Sequence, residues 1–456
     1  MITLTKHWFF CIIGLPGLGW SQQALTIRDA VEQAVARYPS IAVSESQVEA
    51  AAAGIKLART AYAPRIDTLA QFNRATRNNV YGMLLQQPVI SPISGPPVAE
   101  NSASSIWGSA VGVLVTWEPF DFGLRKSQVD LATARRSLAG AAAARTRFEV
   151  GAAVADAFLT VLAAQETVKA AQAGTTRAEV LLRVVEALVR AELRPGLDAV
   201  QTQAENAAAQ GQLVRAEQAV AQARAVLAGL LGVDPAQLAI VPGRLLEMPA
   251  VSPSSGADLS QNPAARQQTA AVEEAMARSR TLDRQWVPRF GLQATTYARG
   301  TGARPDFTTL GGAHGLAPNF YNWGLGLTVM FPLMDYAAVR ARQAGEQALV
   351  RAEQGRSEQL LVELATRRNE ALAALHAANK LAALAPVQLE AARAAETQAG
   401  ARYKAGLTTI LDVADAQRRL TQAEIDHGLA RLNVWRALLA VAAAEGDLAP
   451  LLISAM

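Results

Sequence analysis

The fourteen residues W-G-L-G-L-T-V-M-F-P-L-M-D-Y, from Trp323 to Tyr336, change their hydrophobic pattern abruptly. Up to Phe331 every second residue is large and apolar, which predicts a β-strand with one apolar face. Pro332 then interrupts the alternation, and from Asp335 the chain is rich in Ala, Arg and Gln for about seventy residues. The stretch therefore predicts a strand that leads directly into a very long helix, with Asp335 at the start of that helix.

The same junction occurs 214 residues earlier, in V-G-V-L-V-T-W-E-P-F-D-F from Val111 to Phe122. The offset of 214 then holds for about 120 residues without an insertion. Matching pairs include Gly112/Gly326, Asp121/Asp335, Leu193/Leu407, Asp198/Asp412 and Gly232/Gly446. Upstream the offset becomes 224, because Pro64-Arg65 matches Pro288-Arg289. The chain is thus one unit written twice, and ten extra residues lie between residues 65 and 111 of the first copy.

Each copy is predicted to contain a helix, two strands, a long helix and a return helix. In the first copy these cover roughly residues 27–61, 65–76, 106–117, 122–190 and 198–231. In the second copy they cover roughly residues 264–286, 289–299, 322–331, 336–403 and, after a turn at 404–409, the chain up to Glu445. Thr26 and Asp121 are suited to cap the helices that follow them, and Gly232 is suited to end a return helix.

We predict five segments along the chain. Residues 1–24 form a secretory signal peptide, 25–232 the first structural repeat, 233–260 a linker rich in Pro and Ser, 261–447 the second repeat and 448–456 a short C-terminal tail. The signal follows from Lys6, His7 and an apolar core too short to span a bilayer. The only cysteine, Cys11, lies in this segment without a lipid-attachment box, so we expect no acylation, no disulfide and no thiolate metal site.

Membrane attachment and charge narrow the possible locations. No later run reaches about 18 consecutive apolar residues without charge, so we expect no transmembrane helix. An exported chain of this kind is soluble in the periplasm, secreted, or held in the outer membrane by β-strands. The formal net charge of +4 does not indicate nucleic acid, because Arg and Lys are interspersed with Glu, Asp and Gln along the predicted helices.

The four predicted strands have the length of tilted membrane β-strands. Trp107, Trp117, Trp323 and Phe331 lie near the ends of their apolar faces, as expected of aromatic residues at a membrane interface. Four strands cannot close into a barrel, and lipid does not tolerate an open sheet edge. Several chains must therefore contribute to one barrel, while the long helices, with coiled-coil spacing and many Ala residues, require partners along their whole length.

Three segments are the most distinctive. They are V-A-D-A-F-L-T-V-L-A-A-Q at 154–165, A-R-Y-K-A-G-L-T-T-I-L-D-V-A-D-A-Q-R-R-L at 401–420 and L-A-V-A-A-A-E-G-D-L at 439–448. Together with the duplicated unit, they resemble the outer membrane efflux protein family, the TolC-like channel-tunnels, over nearly the whole mature chain. The resemblance implies a mainly α fold with a small transmembrane β part. Long coiled-coil-like helices would form an α-barrel, and four strands per protomer would complete a twelve-stranded trimeric β-barrel.

The resemblance also implies a function and a set of partners. The homotrimer would be a passive channel in the outer membrane lipid, extending into the periplasm as part of a tripartite efflux or type I secretion system. It would receive small molecules or proteins from an inner-membrane transporter of the RND, ABC or a similar class, through a periplasmic adaptor (membrane fusion) protein. Neither a cofactor nor a metal site is expected.

The family's gate residues can be carried over where the motifs match. Asp412 and Asp415 in L-D-V-A-D resemble the acidic rings at the periplasmic entrance, where several carboxylates around a narrow axis attract cations. The alternative for Asp412 is a simple cap of the return helix, and the two roles are compatible. Asp198 and Tyr403 match positions of the network that holds the entrance closed, although Tyr403 could equally be an aromatic residue that seals the helix end.

The helix tips match the positions where the family meets its adaptor. The tip residues carried over are Gly406, Leu407, Thr408, Thr409, Leu193 and Gly196. The second turn keeps the family's Gly-Leu and Thr, whereas the first has Glu192 at the Gly position, followed by Arg194-Pro195. Thr408 also replaces a basic gate-locking residue of a number of relatives, so any such lock must differ here.

Two other classes of protein compete with a channel. An enzyme is disfavoured, because His314, His376 and His427 stand alone and no phosphate-binding, metalloprotease or nucleophile motif is present. A periplasmic coiled-coil scaffold without a pore explains the helices. This alternative does not explain the strands with aromatic ends or the signal peptide.

Overall fold

The computed structural model describes residues 24–80, 82–91, 97–249 and 258–455. The predicted signal peptide up to residue 23, including Cys11, and residues 250–257 of the predicted linker lie outside these ranges. The first copy contains α1 (Ile27–Arg37), α2 (Pro39–Thr60), β1 (Arg65–Thr76), β2 (Ser105–Phe120), α3 (Leu124–Arg190) and α4 (Gly196–Leu231). The second contains α5 (Pro263–Leu282), β3 (Arg289–Thr301), β4 (Phe320–Met330), α6 (Tyr336–Lys404) and α7 (Ile410–Glu445), followed by the short α8 (Ala449–Ser454).

The mainly helical fold with a duplicated helix-strand-strand-helix unit is confirmed. The long helices α3 and α6 have 67 and 69 residues, which corresponds to about 100 Å each at 1.5 Å per residue. The β1–β2 loop is ten residues longer than the β3–β4 loop, so the extra residues of the first copy lie there.

The predicted helix at 27–61 is wrong in one respect, because it is two helices. Tyr38 is extended, with φ −66° and ψ 130°, and separates α1 from α2. The residue before a proline is disfavoured in the α conformation, and Pro39 follows directly. A second difference is that α5 ends at Leu282 rather than at 286. The predicted cap Thr26 is confirmed, since its side chain and that of Asp29 form a reciprocal capping box.

The chain divides into two compact units, and each combines segments of both sequence copies. The first comprises Met1–Ala42, Thr146–Asn262 and Glu363–Met456. Its core is apolar, and its largest fully buried side chains include Trp435, Phe158, Leu432 and Leu227. The domain boundaries predicted from the repeats stay a prediction, because they follow the sequence copies rather than these units.

Much of the predicted linker is packed into the core of this first unit. Leu238 and Leu245 are buried there, and Leu25 pairs with Ile240 in a short parallel bridge. The indole of Trp435 donates a hydrogen bond to the carbonyl oxygen of Glu247, at 3.0 Å. The described part of the linker is therefore a structural element of the unit.

One helix among the described residues, Leu124–Arg190, is long and apolar enough to cross a membrane by length and composition. This corrects the expectation that no candidate exists, which considered only runs without charge. An 18-residue window of this helix has a mean hydropathy of 1.4, and 56% of that window is buried inside the protein. Buried residues such as Phe158 and Val161 belong to the core, so burial accounts for the apolar character.

The second unit comprises Val43–Arg145 and Pro263–Val362 and contains the four-stranded sheet. The strand order is β1-β2-β3-β4, and all neighbours are antiparallel. Val111 lies opposite Ala70 and Ala298, and this register continues along the sheet. Within the described residues, β1 and β4 each have one edge that no other strand of the chain covers.

The register separates two faces of the sheet. The apolar face includes Ile66, Phe72, Val111, Val113, Val115, Leu292, Trp323, Leu325 and Leu327. The opposite face is called the polar face below. It includes Gln71, Asn73, Gln293, Thr295, Arg299 and Asn322, together with Gly108, Gly112, Gly324 and Gly326. It also carries Leu69, Leu114 and Tyr297, which pack against Val89 and Ile90. The apolar face is open on β4, where Trp323 is 83% exposed.

Candidate functional site

The predicted gate residues lie at the tips of the two helical hairpins, within the first unit. A small buried cluster holds the tips together: it consists of Val185 from α3, Tyr403 from α6, and Ile410 and Val413 from α7. Ala199 of α4 packs against this cluster. The ends of all four long helices therefore meet around Tyr403.

Tyr403 is the centre of a polar network between the two hairpins. Its hydroxyl donates a hydrogen bond of 2.9 Å to Oδ2 of Asp198. Burial, together with the bond to Asp198 and its negative charge, raises the pKa of Tyr403 to about 12. The phenol is therefore protonated, and a donor, throughout the physiological pH range.

Arg194 completes this network, although sequence reasoning did not identify it as a site residue. Its guanidinium lies over the ring of Tyr403, 4.4 Å from the ring centroid, in a cation–π contact. The same guanidinium donates a hydrogen bond to the carbonyl oxygen of Tyr403. The sequence did contain a signal for Arg194, because the offset of 214 aligns it with Thr408 of the second tip. The first tip thus carries a basic residue at the position equivalent to Thr408.

Asp412 caps its own helix. Its Oδ2 accepts hydrogen bonds from the Thr409 backbone N–H at 2.9 Å, from the Thr409 hydroxyl at 2.7 Å and from the Thr408 hydroxyl. Thr409 accepts in return from the Asp412 backbone N–H. The hydroxyls of Thr408 and Thr409, then the Thr409 N–H, lower the pKa of Asp412 to about 2. The carboxylate is therefore ionised and exposed, which is compatible with a second role in an acidic ring.

Asp415 lies one turn further along α7 and is paired. Its Oδ2 is 2.8 Å from Nε of Arg419, and its Oδ1 is 3.5 Å from a terminal nitrogen of Arg418. Arg418 also reaches Oε1 of Glu205 on α4, at 3.3 Å. Asp415 therefore has arginine partners within this chain, whereas the Asp412 carboxylate is bonded to the uncharged Thr408 and Thr409.

The predicted adaptor-contact residues lie on the outside of the same tips. Leu193 and Leu407, which correspond to each other in the two copies, are both 69% exposed. Gly406 has a positive φ of 76° and ends α6, while Gly196 is the first residue of α4. Thr408 and Thr409 belong to the cap of α7. These two leucines expose apolar surface at both tips, together with Leu197, Val200 and Leu411 at the starts of the return helices.

The predicted interface aromatics lie on the sheet or at its end. Trp107 and Trp117 share one face of β2 and are ten residues apart, which corresponds to about 33 Å along the strand. For a strand tilted by about 40° from the membrane normal, their separation along the normal would be about 25 Å. The indole of Trp117 donates to the carbonyl oxygen of Tyr62 at 3.0 Å. Trp323 lies opposite Thr296 of β3, which in turn lies opposite Val113 of β2. Phe331 follows β4 directly.

Three further aromatic residues at the strand–helix junction did not enter the predicted set. The rings of Phe120 and Phe122 are 4.5 Å apart, and both lie near Phe290, at 6.3 and 6.1 Å. Phe120 and Phe122 stand in the duplicated junction motif, so their position was visible, but their contact with β3 was not.

Nothing in the described ranges gathers three or more His, Cys, Asp or Glu side chains around a possible metal position. His376 and His427 lie on helices α6 and α7. Burial lowers the pKa of His427, and the positive charges of Arg431 and Arg393 lower it further. This histidine therefore stays neutral at physiological pH.

Comparison with known proteins identifies the family. A family model described as outer membrane efflux protein matches residues 30–233 and 256–447. The cobalt-zinc-cadmium resistance protein CzcC of Cupriavidus metallidurans is 28% identical over 317 residues, which cover 66% of this chain and 69% of CzcC.

Solved structures with the same fold include the outer-membrane channel OprN, at a TM-score of 0.72 and 21% identity, covering 92% of this chain and 90% of OprN. The outer membrane protein VceC from Vibrio cholerae has a TM-score of 0.73 at 16% identity, over 92% of this chain and 96% of VceC. A membrane protein from Pseudomonas aeruginosa has a TM-score of 0.77 at 20% identity, over 92% of both chains.

The family match extends over both copies of the duplicated unit, and the fold is that of outer-membrane efflux channels. The protein is accordingly located in the outer membrane and extends into the periplasm. The chain belongs to the outer membrane efflux protein family.

Proposed function

We propose that three copies of this chain form a passive channel across the outer membrane, with an entrance in the periplasm that is gated at the helix tips. The observation that carries the proposal is the sheet of the second unit. It has one apolar face, one polar face and two edges without a partner in the described chain. Such a sheet is complete only when β4 of one copy pairs with β1 of the next.

The number of strands supports three copies. Two copies would supply eight strands, and an eight-stranded barrel has an interior that side chains just fill. Three copies would supply twelve, which leaves a path. The apolar face, with Trp323, Leu325 and Leu327 at 83%, 68% and 66% exposed, then meets the lipid. The polar face, with Gln293 and Asn322, then lines the path.

The network around Tyr403 supports gating at the tips. The contacts of Tyr403 with Asp198 and Arg194 join the α6 tip to the α3–α4 tip. Breaking these contacts lets one hairpin move away from the other. Asp412, ionised and exposed in each copy, would add a ring of negative charge at the entrance that attracts cations.

The exposed leucines support an adaptor contact. Leu193 and Leu407 expose apolar surface at the two tips, where a periplasmic adaptor would dock and connect the channel to an inner-membrane transporter of the RND, ABC or a similar class. Cargo would be small molecules or proteins of a tripartite efflux or type I secretion system. Because CzcC is named for cobalt, zinc and cadmium resistance, divalent metal cations are the first small cargo to test.

The test is purification from membranes followed by mass measurement and planar-bilayer recording. We expect a detergent-dependent trimer with stepwise conductance. Recovery without detergent as a monomer that gives no conductance would contradict the channel and favour the periplasmic scaffold. Expression with and without the partner transporter, in cells challenged with Zn²⁺, then tests the cargo by cellular metal content.

A further inference from the structure

The β1–β2 loop does not leave the sheet, because residues 82–91 lie along its polar face. Side chains of β1 and β3 hold the backbone of this segment. Nδ2 of Asn73 donates to the Met83 carbonyl oxygen at 2.7 Å, and Nε2 of Gln71 donates to that of Leu85 at 3.3 Å. Arg299 donates to the Gly82 carbonyl oxygen at 2.8 Å, and the Thr295 hydroxyl lies 3.4 Å from that of Val89 and 3.3 Å from that of Val113.

The far end of the segment is anchored by packing. Val89 and Ile90 are 5% and 2% exposed and form a small core with Ala110 of β2. Oε1 of Gln87 accepts from the backbone N–H of Val89 at 2.6 Å and of Ile90 at 2.7 Å. Its Nε2 donates to the Ile90 carbonyl oxygen at 2.8 Å. The segment is thus a fixed strap with its own turn.

The strap descends from the end of the sheet towards its middle. Gly82 is bonded to Arg299 and Val89 lies beside Thr295, and these two residues of β3 are four positions, or about 13 Å, apart. Glycine makes the close approach possible, because Gly82 has φ 71° and a Cβ there would lie 2.7 Å from the Ile106 side chain. The ten residues that only the first copy contains lie in this loop.

We propose that residues 82–91 line the conducting path at the level of the outer membrane and set its width. This rests on the proposed function, because the polar face is a channel wall only if the chain forms a pore. Away from the sheet, each copy presents Met83 and Leu85, both 52% exposed, and the exposed Gln86. The strap carries no charge, so three copies place an uncharged, partly apolar narrowing inside the barrel.

The first test introduces a charge at the strap. The trimer carrying Leu85→Cys is recorded in a planar bilayer before and after a sulfonate-bearing methanethiosulfonate reagent, and mass spectrometry measures the modification. We expect complete modification and a change in single-channel conductance of about twofold, because charge and width at a constriction control ion flow. The matched control is Phe72→Cys, 68% exposed on the apolar face of β1, whose treatment leaves the conductance unchanged.

Each other outcome contradicts the inference. A fully modified Leu85→Cys channel with unchanged conductance means that the strap does not line the path, and a thiol that resists the reagent means the same. Asn73→Ala supplies a second measurement that keeps the strap sequence intact, and we expect it to raise the conductance of untreated channels. If the unaltered trimer itself gives no conductance, the proposed function fails, whereas a conducting trimer that is insensitive at residue 85 refutes only the strap.

Discussion

The two hairpin tips have the same backbone and different side chains. Glu192 and Gly406 occupy equivalent positions, and both are left-handed, with φ of 58° and 76°. Each turn is closed by the same pair of backbone hydrogen bonds. In the first tip the Leu193 N–H donates to the Leu188 carbonyl oxygen, and the Glu192 N–H to that of Val189. In the second tip the Leu407 N–H donates to the Arg402 carbonyl oxygen, and the Gly406 N–H to that of Tyr403. The duplication has kept the turn and changed its chemistry.

The change matters most at the start of the return helices. In the second tip Thr409 is the N-cap, and it keeps the Asp412 carboxylate in a capping box. In the first tip the N-cap is Pro195, which has no side-chain cap hydrogen bond, and Asp198 bonds to Tyr403 instead. Because the N-cap residue differs, Asp412 stabilises the start of its own helix, whereas the equivalent Asp198 forms a contact between the two hairpins.

The largest effect is expected from Tyr403→Ala. The change removes the ring from the buried cluster with Val185 and Ile410, the cation–π contact with Arg194 and the bond to Asp198. Deleting a buried aromatic side chain costs about 3–5 kcal/mol. We expect the tips to separate and the open probability of the channel to rise. An open probability equal to that of the unaltered channel would contradict the gating role.

Tyr403→Phe is the more selective change, because it keeps the ring and removes only the hydroxyl that bonds to Asp198. A hydrogen bond to a charged group contributes about 1.5–3 kcal/mol, so we expect a smaller but clear rise in open probability. An open probability of Tyr403→Phe equal to that of the unaltered channel would mean that the bond to Asp198 does not hold the two tips together.

Alkaline pH acts on the same bond. The pKa of Tyr403 is raised from 10.0 to about 12, so its stabilisation is complete below pH 10 and is lost as the pH rises through about 12. Conductance of the unaltered channel should therefore increase across this window. Tyr403→Phe should lack the increase, and an identical pH response in both channels would show that another group is responsible.

The next effect concerns the caps. Thr409→Ala removes the N-cap of α7, and loss of such a cap costs about 1 kcal/mol. Hydrogen exchange of the amides at 411–413 should become about fivefold faster at neutral pH, since a factor of five corresponds to that free energy. Pro195→Thr is the reciprocal change: it offers a cap to Asp198, which should loosen the bond to Tyr403. Unchanged exchange in Thr409→Ala would mean that the cap contributes nothing.

Acid should reduce the difference between Thr409 and its replacement, because only the half of the capping box that involves the Asp412 carboxylate depends on pH. The pKa of Asp412 is lowered from 3.8 to about 2, so the stabilisation from the capping box is present above pH 3.8 and is lost as the pH falls towards 2. The ratio of the exchange rates of Thr409→Ala and the unaltered protein should therefore fall in this range, without reaching one, because Thr409 still accepts from the Asp412 backbone N–H. The same ratio at pH 2 as at neutral pH would contradict the contribution of this carboxylate.

The sequence predicted those features that depend on local period and on the repeat. Alternation and caps located the strands and the long helices, and the offset of 214 located equivalent tip residues. It missed the break at Tyr38, although the Pro39 rule predicts it. The contact of Arg194 with Tyr403, 209 residues away, and the position of the strap at 82–91 depend on tertiary packing, which no local pattern encodes. For Asp412, sequence could name both roles without deciding between them.

The smallest effect is expected from substitutions that change only the backbone strain at the equivalent positions Glu192 and Gly406. A residue other than glycine in the left-handed conformation costs roughly 1 kcal/mol, so Glu192→Gly should stabilise the first tip and Gly406→Ala should destabilise the second by a similar amount. Steric space does not decide the outcome at Gly406, because the nearest neighbour of a Cβ there would be a nitrogen of Arg194 at 3.9 Å. Hydrogen exchange of the Leu193 and Leu407 amides, which close the two turns, measures both changes. Slower exchange at Leu193 in Glu192→Gly and faster exchange at Leu407 in Gly406→Ala would establish that Glu192 is tolerated rather than required for the turn. Faster exchange at Leu193 in Glu192→Gly would mean that the glutamate side chain itself holds the first tip.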